Sequence, residues 1–118
     1  MNILVVDETR TRADELVRLI QKKDHDAVRC DGTSQFLDSL AKKGAKIVAL
    51  DVESWQKGRA IYDYFDVAHR FLADTPIVFY NAPDDFAGLR DRARLDKDVV
   101  LPTSATVETV AESLESIA

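Results

Sequence analysis

Residues 3–8 read ILVVDE and residues 47–52 read IVALDV. Each is a short, β-branched-rich apolar run that closes on acid: Asp7 and Glu8 in the first, Asp51 in the second. Runs of this length, bounded by polar segments, are the pattern of strands buried on both faces. Two such strands ending alike in carboxylate raise a question of charge as well as of fold.

Working outward, further apolar runs fall at 27–30, 77–80 and 99–101, so strands are expected at 3–7, 27–30, 47–51, 77–80 and 99–101. Helical spacing fills the intervals. Ala13, Leu16, Val17 and Ile20 recur at i, i+3, i+4 and i+7, the stripe of an amphipathic helix. Phe36, Leu37, Leu40 and Ala41 form a second stripe, with Thr33 or Ser34 as cap, and Ile61, Tyr64, Phe65, Ala68 and Leu72 form a third. Phe86, Leu89 and Ala93 form a weaker fourth after Pro83, and Val107, Val110, Ala111, Leu114 and Ile117 a fifth, with Ser104 as its cap. Strands alternating with helices predict an α/β fold, (βα)5, with a doubly wound parallel sheet and helices on both faces. One domain over residues 1–118 is expected, and the chain can equally be a domain excised from a longer protein.

Composition sets the class. The chain is 46% hydrophobic and 31% charged, with a net charge of −5, an ordinary globular balance. Without a Lys/Arg stripe, nucleic-acid binding by this domain is not expected. Apolar runs this short exclude a membrane-spanning helix. With a first strand beginning almost at Met1, no signal peptide is expected, and one cysteine, Cys30, permits no intrachain disulfide; a cytoplasmic location is the expectation.

In a sheet ordered 2-1-3-4-5, the first and third strands flank the crevice where strand order reverses, and ligands bind there beyond the carboxyl ends. Asp7, Glu8 and Asp51 then converge. At about 5 Å and an effective dielectric of about 20, each like-charge pair costs roughly 3 kcal/mol. A hard divalent cation such as Mg²⁺ relieves that cost. For a single acid the blander reading is a solvent-facing carboxylate at the start of the next helix. Acids closing both strands favour a metal site.

With these residues in place, the chain resembles a receiver domain of bacterial two-component response regulators, which have the flavodoxin-like fold. The resemblance spans essentially the whole chain and rests on ILVVDE, IVALDV, PIVFYNA and DVVLP. It implies that Asp51 is the phosphoacceptor, taking a phosphoryl group from a sensor histidine kinase or phosphotransfer protein. It implies further that Asp7, Glu8, Asp51 and the backbone carbonyl of Glu53 hold Mg²⁺. No enzyme activity is implied beyond phosphoryl transfer to its own aspartate and its loss.

Several positions depart from the family. Asn81, before Ala82, stands where Thr or Ser is usual, and Leu101 before Pro102 replaces the lysine of the usual Lys-Pro pair. Asp98 replaces a common aromatic, and ESWQKG after Asp51 lacks the usual Pro-Gly turn. The parts expected to bind metal and accept phosphate are retained, and those that turn phosphorylation into movement are altered. Two readings follow: a receiver with atypical switching, or a phosphorylation-independent pseudo-receiver acting as a protein-interaction module. Either is expected to meet a protein partner through the face of its fourth and fifth helices.

Other readings are weaker. A flavin carrier needs a glycine-bearing phosphate loop after the first strand, and DETRTR has no glycine. A metal-dependent hydrolase lacks a histidine at any strand's carboxyl end, His25 and His69 reading as ordinary surface or helix residues. Cys30 reads as a small buried hydrophobe, and Trp55 as a loop aromatic over the site or a partner contact.

Overall fold

The computed structural model describes residues 2–30, 46–53, 75–83 and 98–117. Its elements are β1 (Asn2–Val6), α1 (Arg10–Lys22), β2 (Asp26–Cys30), β3 (Ile47–Asp51), β4 (Ile77–Ala82), β5 (Val99–Pro102) and α2 (Val107–Ile117). All five expected strands are present, every pairing is parallel, and the order is β2-β1-β3-β4-β5. The helices expected around 36–41, 61–72 and 86–93, with Trp55 and His69, lie outside the described residues.

Both faces of the sheet are dry, which is why its strands lack a polar alternation. On one face Ile3, Val5, Ile47, Ala49 and Val78 meet Ala13, Leu16 and Ile20 of α1 and Val110, Ala111 and Leu114 of α2. On the other, Leu4, Val6, Val48, Leu50 and Phe79 are equally buried. Cys30 is buried at the end of β2, with its thiol free of disulfide.

The helix ends differ in detail from expectation. Ser104 is not the cap of α2: the Thr106 hydroxyl accepts the Thr109 N–H at 3.2 Å, which satisfies one of the orphan donors of the first turn. At the other end of α1 the chain reverses through Asp24 at φ 65°, one of the few side chains that tolerates the left-handed region. His25, in that turn, is half-buried, and its Nδ1 has no partner among the described residues.

Asp98 also finds a partner. It is buried just before β5 and accepts the Ile77 N–H at 3.0 Å, tying together the amino ends of β4 and β5. A buried carboxylate held by a backbone amide is a structural clasp. Asp98 thus sits at the amino end of β5, away from the acids that close β1 and β3. No helix among the described residues is long and apolar enough to cross a membrane.

Candidate functional site

The site is the next step of the core's own pattern. Side chains alternate along a strand, so the α1-facing row Ile3, Val5 continues to Asp7, and Ile47, Ala49 continues to Asp51. Val78 continues to Tyr80, which lies opposite Asp51 in the β3–β4 register. Asp7 and Asp51 are essentially inaccessible, at 0% and 1%. By the same alternation Glu8 falls outside the row, and it is exposed. Of the expected acidic pair, Asp7 enters the crevice and Glu8 faces solvent.

The charge is met from α1. Arg12 reaches over the strand ends, and its Nε donates to Asp7 Oδ2 at 2.7 Å. Its Nη2 donates to Asp7 Oδ1 at 3.0 Å, to Asp51 Oδ2 at 2.8 Å and, at 3.4 Å, to the Thr9 hydroxyl. One guanidinium therefore grips Asp7 with a two-pronged fork and bridges to Asp51, the geometry arginine provides and lysine does not. Its hydrogen bond to Asp7 raises the Arg12 pKa still further; desolvation opposes that, and the charges of Asp51 and Asp7 reinforce it.

Asp7 has two more donors. The Thr9 N–H reaches Oδ1 at 2.8 Å and the Tyr80 hydroxyl reaches Oδ2 at 2.7 Å. The Tyr80 ring lies 5.9 Å from the Arg12 carbon Cζ, within cation–π range. A carboxylate has about four lone-pair sites, and all those of Asp7 are engaged. At Asp51, Oδ1 accepts the Asn81 amide at 2.9 Å, and the same amide nitrogen reaches Glu53 Oε2 at 3.0 Å.

Asn81 makes both contacts from an unusual backbone. Its φ is 57°, and the β4–β5 register slips between Phe79 and Ala82, with Ala82 paired to Pro102. The irregularity re-aims a side chain that strict alternation would send to the other face. Leu101 packs partly buried against the core, so β5 supplies no charge to the crevice.

Mg²⁺ was the expected compensating cation, and these residues do not fit one as arranged. Asp7 has no lobe left to offer, and Asp51 is turned to Arg12 and Asn81. Among the described residues no three His, Cys, Asp or Glu side chains are grouped to hold a metal. The position that charge balance assigned to a metal is filled by a side chain. A cleft of about 50 Å³ beside Arg12, lined by Leu16, Tyr80, Asn81, Thr103 and Val107, is far below the several hundred Å³ of an organic cofactor site.

The sequence contained a signal for Arg12. It stands four residues before Leu16 and eight before Ile20, on the inward stripe. It also lies in the first turn of α1, which has no acidic residue, where the helix dipole disfavours a cation. An arginine placed inward against the dipole needs carboxylates nearby.

Among solved structures the chain is similar to an orphan response regulator of H. pylori, with a TM-score of 0.78 at 8% identity, over 99% of this chain and 95% of that one. Its fold is that of a response-regulator receiver domain. A chemotaxis response regulator, CheY4 of Vibrio cholerae, matches with a TM-score of 0.78 at 12% identity, over 99% and 98%. A response regulator from Burkholderia pseudomallei, solved with a phosphorylated aspartic acid and a calcium ion, matches with 0.75 at 15% identity, over 98% and 71%. No protein-family model and no curated protein matches the chain. Within the receiver fold, Asp7 and Asp51 occupy the carboxyl-end crevice expected for them, with Arg12 between them.

Tyr80 gives the site a measurable pH dependence. Burial, then the charge of Asp7 and its hydrogen bond, push the phenol well above its ordinary value. In the unfolded chain a phenol ionises near pH 10. The contribution is therefore full below about pH 10 and falls as pH rises beyond it, where only the unfolded state gives up the proton. Tyr80→Phe is expected to cost about 1.5–3 kcal/mol at neutral pH and to flatten the alkaline loss of stability. Urea unfolding at pH 7 and pH 11 measures both; a variant matching the wild type at each would discount the hydrogen bond.

Proposed function

We propose that this domain is a receiver-fold interaction module whose engagement of a protein partner does not depend on phosphorylation of Asp51. The observation that carries this reading is the state of Asp51 itself: buried, with one oxygen held by Arg12 and the other by Asn81. An in-line nucleophile needs a free oxygen aimed at the phosphoryl group and cations around the charge being transferred. Here the nearby cation is committed to the ground state, and Leu101 cannot answer a phosphoryl charge.

The partner surface is proposed for the face carrying the fifth helix of the sequence, α2. Its outward residues include Glu108 and Glu112, both exposed, acids that suit a basic partner surface. The domain is proposed to act in the cytoplasm.

The test exposes the protein to Mg²⁺ with acetyl phosphate, and separately with beryllofluoride, following intact mass and amide NMR shifts. No phosphoryl adduct and no shift around Asp51 is expected. A stoichiometric adduct on Asp51, or saturable shifts there, would overturn the reading. It would favour the second one, a phosphoacceptor in which Asp7, Glu8, Asp51 and the Glu53 carbonyl hold Mg²⁺ and a sensor histidine kinase or phosphotransfer protein is the donor. That second reading draws on the position of Asp51 beside Asp7 at the carboxyl end of β3.

A further inference from the structure

We propose that Arg12 is a built-in cation that competes with divalent metal for Asp7 and Asp51, so that the crevice is closed to metal by its own side chain. The inference deepens the reading of Asp51 as held rather than reactive, and rests on it. Nη2 of Arg12 lies within 3.0 Å of carboxylates from two different strands, which is where charge balance would seat an ion.

The side chain is held at both ends. Arg12 is anchored one turn before Leu16, which is 1% exposed in the core beside Ile20. Its guanidinium is also braced by the Tyr80 ring. A cation delivered by a packed helix acts at a high effective concentration, which a free ion must outcompete. The competition is reciprocal: removing the guanidinium frees oxygens on Asp7 and Asp51, two hard anionic donors suited to Mg²⁺ or Mn²⁺.

Mn²⁺ is the probe, with unbound ion read by electron paramagnetic resonance and binding heats by calorimetry. Wild type, Arg12→Met, Arg12→Gln and the double variant Arg12→Met/Asp51→Asn are compared, each checked for fold by circular dichroism. Arg12→Met is expected to bind Mn²⁺ at least tenfold more tightly than wild type, and the double variant to lose that gain. Arg12→Gln, which keeps a smaller polar head, serves if the methionine variant does not fold.

Equal affinity in wild type and the folded Arg12 variants, whether tight or absent in both, would overturn the proposal. So would a gain that survives Asp51→Asn. A phosphoryl adduct on the wild type bears instead on the interaction-module reading, so the two fail separately.

Discussion

Arg12→Met should lower the stability of the domain by about 3–5 kcal/mol, the cost of leaving buried carboxylates without their cation. The methionine keeps most of the apolar stem that lies along α1, so lost packing is a small part of the effect. What is lost is the cation that answers two carboxylates, both nearly inaccessible to water. The Arg12 side chain is itself 28% exposed, so water can reach part of the vacated space, and the loss is expected towards the lower end of that range. The pair Lys23–Glu115 is the internal comparison: it joins the C-cap of α1 to α2, but its carboxylate is 49% exposed where those of Asp7 and Asp51 are 0% and 2%, and exposed pairs carry little weight. Urea unfolding of Arg12→Met and Lys23→Met, at low and at high salt, separates the two. A loss below about 1 kcal/mol for Arg12→Met would mean that the buried charges are met in another way.

Asp7→Ala is expected to cost as much, about 3–5 kcal/mol, and for a wider reason. It strips an acceptor from three donors at once: the Arg12 guanidinium, the Tyr80 hydroxyl and the Thr9 N–H. Two of these belong to α1 or its cap and one to β4, so the change loosens the helix and the sheet together. Because Arg12 and Asp7 act as a unit, the two losses should not add. A double-mutant cycle between them should return a coupling of about 2–3 kcal/mol. Strict additivity would show that the fork contributes no more than the sum of two separate contacts.

Much of the fold was legible because burial on both faces leaves a plain mark. ILVV, IVAL and IVFY have no polar step to accommodate water, so strands and their parallel packing followed from composition and spacing. The convergence of Asp7 and Asp51 followed from strand order. What was not legible depends on where side chains reach. Asp7 and Glu8 are adjacent in sequence, and only the alternation of β1 past Val6 decides which one turns inward. Arg12 leaves only a faint mark, the stripe it shares with Leu16 and Ile20, because nothing in the sequence shows that a first-turn arginine folds inward. Asp98 is buried because it has a partner, and that partner is a backbone amide, which sequence does not display.

The backbone at Asn81 also decides which side chains this position accepts. At φ 57° an asparagine rests with little strain, whereas a β-branched threonine there meets its own carbonyl at a cost of roughly 1–2 kcal/mol. Placing a threonine at position 81 would therefore require the strand end to be rebuilt. The irregular strand end thus selects the amide over a branched hydroxyl at the mouth of the crevice.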